Sequence, residues 1–378
     1  MNQTIVDPTD RFASWPRGAA RLLLVVVASL LVLSALVPIT AGKMQKPLVG
    51  FVDAIKGGAA AQAAARPRDD DLALYDRVIG RISKGESYYT AVAEEHRVSH
   101  YPLRPGVAVR LPTLAYLDMW LGDRGKGDAV LVPGEMIAAL ALLAAVVWAW
   151  WGRLGDEPGG ARYRRIGTAL VFLGASLGLN RYYFVLHELW AGMLIALSLG
   201  LHRPGRRWLG AVLAAALALA IREHALPYVM LMAATAMWRR EWKESAAWIA
   251  LIVGFFAYLG IHLSLVAQQV RPDDVMGPDW LVLRGLSGWM SSVVLSSNLR
   301  FLPHFLAGPM VLLMVLGWAG WKSPLGATAT LLFLGYGLLF MLAGRPDNFY
   351  WGAIIAPIMF AGLAFMPRAV ASLARSAR

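Results

Sequence analysis

The chain has 378 residues, of which 58% are hydrophobic and only 16% are charged, and its mean hydropathy is +0.53. This composition excludes an ordinary soluble domain. The 36 lysines and arginines outnumber the 24 aspartates and glutamates and give a net charge of +12, and the absence of cysteine excludes disulfides, thiolate metal sites and a cysteine nucleophile.

The basic residues are concentrated in short polar segments between apolar runs and at both termini. Cytoplasmic segments of membrane proteins carry such an excess of lysine and arginine. The charge therefore predicts an orientation with both termini in the cytoplasm, and it does not predict a nucleic-acid partner. The main residues are Arg11, Arg17, Arg21, Arg153, Arg162, Arg164, Arg165, Arg203, Arg206, Arg207, Arg239, Arg240, Lys243, Lys322, Arg368, Arg375 and Arg378.

The first long apolar run covers residues 22–42 and carries no charge. A helix needs about 20 residues to cross a bilayer, and this run is too long for a cleaved signal peptide. Further apolar runs predict an all-α polytopic membrane protein, one domain over residues 1–378, with about ten transmembrane helices. We place them at 22–42, 130–151, 166–184, 187–201, 208–222, 225–238, 246–266, 303–320, 325–343 and 350–366.

The first outer loop, residues 43–129, is the largest polar segment between predicted spans. It contains three consecutive aspartates, Asp69, Asp70 and Asp71. Apolar residues recur after them with the spacing of an amphipathic helix over 71–82, whose N-terminus an aspartate would stabilise. We expect this helix to lie on the membrane surface with its apolar face toward lipid.

Two further segments outside the predicted spans are informative. A second amphipathic helix is predicted over 109–121, behind the turn signals Pro102 and Pro105. Residues 267–302 form the second large outer loop. The chain shows no internal repeat, which counts against the transporter folds built from inverted repeats.

Charged side chains in or beside membrane segments are costly and usually functional. Such residues occur in three groups at the outer ends of predicted spans. The groups are Arg181 with His187 and Glu188, Arg222 with Glu223, and Arg345 with Tyr350. With Asp70 and Asp71 they would form an outward-facing site, in which arginine binds phosphate through its planar fork and a carboxylate takes a proton from a hydroxyl.

Each group also has a purely structural interpretation. The aspartates can be a solvated patch, and Arg222 and Glu223 can be a local ion pair. The pairs Tyr88–Tyr89 and Tyr182–Tyr183 can belong to an interfacial aromatic belt. His187 and Glu188 resemble a pair of metal ligands, but adjacent residues on a helix point about 100° apart. We therefore predict no dedicated metal site, and a need for a divalent cation stays open.

The order of these segments resembles the GT-C superfamily of integral-membrane glycosyltransferases, in particular the branch of protein O-mannosyltransferases and the lipid A aminoarabinose transferase. In that branch a catalytic aspartate heads a surface helix four residues before a tyrosine, as Asp71 precedes Tyr75. Arg181 and Glu188 are similar to the family's arginine and following acidic residue. Leu72 stands where a second acidic residue is common, so the base stays open between Asp71 and Asp70.

Two later segments extend the resemblance over most of the chain. Arg222 followed by Pro227 is similar to the family's basic residue that holds the donor phosphate, and Tyr350 through Pro357 is similar to the stretch that opens the final span. Where the family frequently has aspartate and lysine, this sequence has Glu188 and Arg222.

The resemblance implies an inverting transfer of a sugar from a polyprenyl-phosphate donor to a hydroxyl of a glycan, lipid or protein acceptor. Asp71, or Asp70, would be the general base, Arg222 would neutralise the departing phosphate, and Glu188 would orient the acceptor, the sugar or a cation. The other substrate-binding candidates are His187, Arg181, Glu223, Arg345 and Tyr350.

The alanine-, leucine- and arginine-rich composition suggests a bacterium of high genomic GC content, so the expected location is the inner membrane with a periplasmic site. Three other functions stay open. A polysaccharide ligase or polymerase also uses outer-loop arginines, a secondary transporter also places charges at membrane depth, and a scaffold has no need for the acidic cluster.

Overall fold

The computed structural model describes residues 10–41 and 69–378. Within these ranges all regular structure is helical, and β-type pairing is limited to three isolated bridges. The α-helices are α1 (Arg17–Leu36), α2 (Asp70–Ile82), α3 (Tyr88–Val98), α4 (Thr113–Trp120), α5 (Pro133–Gly155), α6 (Gly160–Ala175), α7 (His187–Leu201), α8 (Leu209–Ile221), α9 (Leu226–Trp238), α10 (Trp242–Ala267), α11 (Gly285–Leu295), α12 (His304–Gly320), α13 (Pro324–Leu342), α14 (Ala356–Met359) and α15 (Gly362–Ser376).

Short 3₁₀ helices connect several of these elements. They are Phe12–Ser14, Gly106–Ala108, Gly127–Ala129, Ser176–Leu179, Arg181–Tyr183, Glu223–Ala225, Asn298–Phe301 and Pro346–Ile354.

Four of the described helices, α1, α5, α10 and α13, are long and apolar enough to cross a membrane. Four shorter apolar helices, α7, α8, α11 and α12, have 10–17 residues each. The prediction of an all-helical membrane protein is therefore confirmed at this level. The number of ten spans stays a prediction, because the shorter helices do not cross a bilayer of ordinary thickness on length alone.

The last predicted span, 350–366, differs most from the structure. The chain there forms the 3₁₀ helix Pro346–Ile354, then α14, then α15. Proline stands in the first turn of the first two of these helices, and a proline lacks the N–H that continues a helix. The segment also approaches α11 closely, because a Cβ atom on Gly352 would lie 1.9 Å from the carbonyl oxygen of Ser292.

Helix α7 lies at the centre of the helical core. Thirteen of its fifteen residues are buried, and it packs against α5, α8 and the 3₁₀ helix Pro346–Ile354. The contact with the 3₁₀ helix is at backbone distance, since a Cβ atom on Gly192 would lie 2.1 Å from the carbonyl oxygen of Ala353. This packing fixes the first turn of α7, which carries His187 and Glu188, deep inside the molecule.

The predicted amphipathic helix over 71–82 forms as α2, but its expected position on lipid is wrong. The apolar face of α2 is buried against other parts of the protein, including α3, the turn before α7, and Leu189 of α7 itself. The turn before α7 contributes apolar side chains of its own, among them Val185 and Leu186, and these pack on the apolar face of α2.

The other two predictions for the outer loops are only partly met. The helix expected over 109–121 is confined to α4, and residues 109–112 are buried and non-helical. The segment 267–302, expected to be a loop, contains the apolar helix α11. Residues 43–68 of the first predicted outer loop, and residue 42 at the end of the first predicted span, lie outside the described residues.

Candidate functional site

A cavity opens beside the first turn of α2. It has about 590 Å³ of empty space, part of which is open to solvent. Its wall is mostly apolar and carries a few polar groups. The residues that matter for the chemistry are Asp71, Tyr75, Arg110, Tyr183, Phe349 and Tyr350.

Asp71 stands on this wall in the first turn of α2. The positive end of the helix dipole favours a carboxylate at this position. The hydroxyl of Tyr101 donates a hydrogen bond to Oδ1 of Asp71. Burial, together with the neighbouring Asp71 carboxylate, raises the pKa of Tyr101, so the phenol keeps its proton and acts as a donor.

Asp70, the alternative base, is exposed and does not line the cavity. The two aspartates are adjacent on α2, so their side chains point in directions about 100° apart. The geometry therefore favours Asp71 over Asp70 as the carboxylate that meets a ligand in the cavity.

Arg110 is the cation on the cavity wall, and it was not among the predicted site residues. Its Nη1 atom donates to both carboxylate oxygens of Glu188, at 3.0 and 2.9 Å. Nη2 donates to the hydroxyl of Tyr350 at 3.3 Å. The guanidinium lies 5.4 Å from the ring centres of both Tyr75 and Tyr350, which adds cation–π attraction on two sides.

Behind Arg110, charges of alternating sign continue into the protein. Nε of Arg222 lies 2.7 Å from Oε1 of Glu188, an ion-pair distance without hydrogen-bond geometry. Nη1 of Arg222 donates to Oε1 of Glu223 at 2.6 Å. Because two arginines face two glutamates, the network is balanced in charge, as a buried group of ions must be.

Local backbone structure brings Arg222 and Glu188 together. Arg222 has extended φ and ψ angles of −146° and 118°, and it separates α8 from the 3₁₀ helix Glu223–Ala225. Glu188 lies in the first turn of α7. Each residue is thus at a helix end, where a buried side chain can reach a neighbouring element.

His187 supports this region through its ring nitrogens. Nδ1 lies 3.2 Å from the carbonyl oxygen of Val185, and Nε2 lies 3.4 Å from that of Leu111. The ring is also 5.3 Å from the ring of Tyr75, nearly edge-on. These contacts make His187 part of the framework under the cavity, and it does not line the cavity wall.

Two other predicted site residues lie away from the cavity wall. Arg181 is exposed in the 3₁₀ helix Arg181–Tyr183. Arg345 donates to Asp347 at 2.8 Å, and both side chains are partly exposed. Among residues 10–41 and 69–378, no group of three or more histidine, aspartate or glutamate side chains is arranged to hold a metal ion.

The structure thus brings Asp71 and Tyr350 to one cavity and places Glu188, Arg222, Glu223 and His187 behind its wall. Sequence reasoning missed Arg110 and Tyr101. A signal for Arg110 exists, because it is a single charge in an apolar stretch, and a buried arginine requires a partner.

Comparison with protein-family models, with curated proteins and with solved structures finds no match to this chain. The resemblance to GT-C transferases therefore depends on the order and spacing of its motifs alone, and the function has to be argued from the site.

Proposed function

We propose that this protein is an inverting glycosyltransferase of the GT-C type, which moves a sugar from a polyprenyl-phosphate donor to a hydroxyl of a glycan, lipid or protein acceptor. One observation carries the proposal: Asp71 and Arg110, a carboxylate and a buried cation, line the same mostly apolar cavity. A displacement at a phosphate-linked sugar needs a proton acceptor and a positive charge for the leaving group.

In the proposed reaction the acceptor oxygen attacks the anomeric carbon while the bond from that carbon to the phosphate oxygen breaks. Asp71 takes the proton of the attacking hydroxyl, and the polyprenyl phosphate leaves with the negative charge. The hydrogen bond from Tyr101 holds the Asp71 carboxylate in one orientation, which reduces the entropy lost when the acceptor is aligned. Attack opposite the leaving group inverts the configuration at the anomeric carbon.

We assign the phosphate contact to Arg110 rather than to Arg222, the residue expected from the resemblance. Arg222 is 4% exposed and is held between two carboxylates, whereas Arg110 lines the cavity. Arg222 acts indirectly in this proposal. Because it shares the negative charge of Glu188, Arg110 keeps part of its attraction for a phosphate that enters the cavity.

The remaining cavity wall suits the other parts of such a donor. Leu72, Leu186 and Phe349 offer an apolar surface for the first prenyl units, since lipid and cofactor pockets are mostly apolar with a few fixed polar groups. Tyr183 and Tyr350 offer aromatic faces next to the charged groups. We place the site on the periplasmic side of a bacterial inner membrane, with about ten spans and both termini in the cytoplasm.

The test uses purified protein in nanodiscs with a panel of radiolabelled polyprenyl-phosphate sugars and a membrane extract as the source of acceptor. The proposal predicts release of sugar from at least one donor and a product of inverted anomeric configuration. No release from any donor in the presence of the extract would overturn the reaction class. A product of retained configuration would overturn the single-displacement mechanism.

A further inference from the structure

The segment 106–121 follows the side of α10 toward the middle of that helix. A Cβ atom on Gly106 would contact Leu263 and Val266, near the end of α10, at 3.2 and 3.5 Å. Further along, Thr113 and Tyr258 are hydrogen-bonded through their hydroxyls at 3.0 Å. From Val266 to Tyr258 is eight residues, or about 12 Å along a helix axis.

The chain then returns along α4. The last turn of α4 leads to Leu121, and a Cβ atom on Gly134 would lie 2.0 Å from the carbonyl oxygen of Leu121. Gly134 is the second residue of α5. Helix α4 thus begins beside the middle of one candidate membrane helix and ends beside the start of another.

The length of α10 shows how far the segment 106–121 reaches into the bilayer. Its 26 residues span about 39 Å, whereas the hydrocarbon core of a bilayer is about 30 Å thick. Tyr258 lies nine residues before the end of α10, which is about 14 Å along the axis. Even if the whole excess of about 9 Å projected from this end, Tyr258 and its partner Thr113 would lie about 5 Å inside the hydrocarbon.

Carbonyl groups of the non-helical part meet polar side chains of neighbouring helices. Three consecutive carbonyl oxygens lie within 3.4 Å of a ring nitrogen or hydroxyl group of α10, α3 or α7. The pairs are Val109 with Nε2 of His262 at 3.1 Å, Arg110 with the Tyr88 hydroxyl at 2.7 Å, and Leu111 with Nε2 of His187 at 3.4 Å. Within a bilayer, irregular backbone is tolerated where it is buried in protein or lines a water-filled cavity, and residues 109–112 are buried.

The outer side of α4 presents aromatic side chains. Tyr116 and Trp120 are four residues apart, so they lie on one face of the helix, and both are exposed, Trp120 by 79%. Leu131, just before α5, and Ile137 on α5 are exposed as well, and α5 begins beside the end of α4. Tyrosine and tryptophan are the residues enriched where a membrane protein meets the interface. Because these exposed side chains lie next to a candidate membrane helix, we identify lipid as the occupant.

We propose that residues 106–121 form a re-entrant segment, which enters the bilayer from the side on which α10 ends and presents Tyr116 and Trp120 to lipid. The inference depends on the membrane helices and not on the proposed transferase reaction. Arg110 lies in this segment, so the cavity wall that it forms is at membrane level and is open to ligands carried by lipid.

The test uses the natural absence of cysteine. Trp120→Cys and Val98→Cys are each labelled with an environment-sensitive fluorophore in protein reconstituted into vesicles. Val98 is the matched control: it is also exposed, by 69%, and its neighbour Arg97 donates to the carbonyl oxygen of Gln269 beyond the end of α10. Both variants remove an exposed side chain, and elution as a monodisperse peak confirms that they fold.

The expected result is that nitroxide lipids quench the label at position 120 several-fold more than the label at position 98. Water-soluble iodide should give the opposite order. A label at Tyr116→Cys should be quenched best by nitroxides placed deeper in the acyl chain than those that quench position 120. Equal access of iodide to positions 120 and 98 would overturn the proposal, whatever the outcome of the sugar-release assay.

Discussion

The substitution Glu188→Gln tests whether the charge network behind the cavity is a single buried unit. It removes the negative charge and keeps the shape of the side chain. Glu188 is 0% exposed and accepts two hydrogen bonds from Arg110. Arg222 retains Glu223 as a partner, so the loss falls mainly on Arg110, a buried cation that no longer has a carboxylate in direct contact.

Removing one partner of a buried ion pair typically destabilises a protein by about 3–5 kcal/mol. This is about two to three and a half powers of ten in the unfolding equilibrium. The surface pair of Arg81 and Glu86 offers a matched control, because its side chains are about a third exposed and 2.6 Å apart. The change Glu86→Gln should therefore destabilise the protein by less than about 1 kcal/mol.

The assay is unfolding of the two variants and the wild type in mixed micelles, followed by tryptophan fluorescence. A double variant, Arg110→Met with Glu188→Leu, removes both charges and should recover much of the stability lost in Glu188→Gln, because a well-packed apolar pair can replace an ion pair. If Glu188→Gln were as stable as Glu86→Gln, the buried network would not have the strength inferred from its geometry.

Two further predictions concern stability. Burial lowers the pKa of His96 from 6.5 to about 4, so the folded protein holds the neutral ring. The contribution of this group to the free energy of unfolding is therefore complete above pH 6.5 and is lost as the pH falls toward 4. At pH 5 the wild type should lose about 2 kcal/mol relative to pH 7.5 through this group, and an unchanged loss in His96→Gln would contradict the assignment. A Cβ atom on Gly134 would meet backbone at 2.0 Å, whereas Gly260 has open space around it. Gly134→Ala should therefore destabilise by about 1–3 kcal/mol and Gly260→Ala should not, and equal melting temperatures would refute the close contact.

The membrane character and the helical fold follow from the sequence because long apolar runs are compatible with few structures other than membrane helices. Helix α2 begins within one residue of its predicted start, since an acidic first turn and apolar periodicity agree there. Helix α3 was not predicted. Its buried side chains include Glu95 and His96, polar residues that a sequence pattern assigns to the surface.

Tertiary contacts explain the burial of these two residues. Glu95 is paired with Arg77 at 2.6 Å and with Arg81 at 3.2 Å. His96 has Nδ1 3.0 Å from the carbonyl oxygen of Pro102. No local periodicity contains such partners, so a single sequence does not reveal them.

The candidate site likewise combines features that the sequence predicts with features that depend on tertiary contacts. Glu188 and Arg222 were grouped on one side of the membrane by the charge pattern, but their 2.7 Å contact depends on how α7 and α8 pack. Arg110 was missed because 109–112 has the pattern of an amphipathic helix, whereas the structure is non-helical and buried there. Arg345 was grouped with the site by its position, yet it faces Asp347 outside the cavity.

The most direct test of the central claim is the rate of sugar release by Asp71→Asn, compared with Asp70→Asn and the wild type in the same nanodiscs. The two variants make the same chemical change at adjacent positions on α2, one on the cavity wall and one exposed. We predict that Asp71→Asn loses at least about 100-fold in rate, the lower end of general-base contributions, while Asp70→Asn keeps the wild-type rate. Equal rates for both variants, with both folded, would contradict the assignment of Asp71 as the general base.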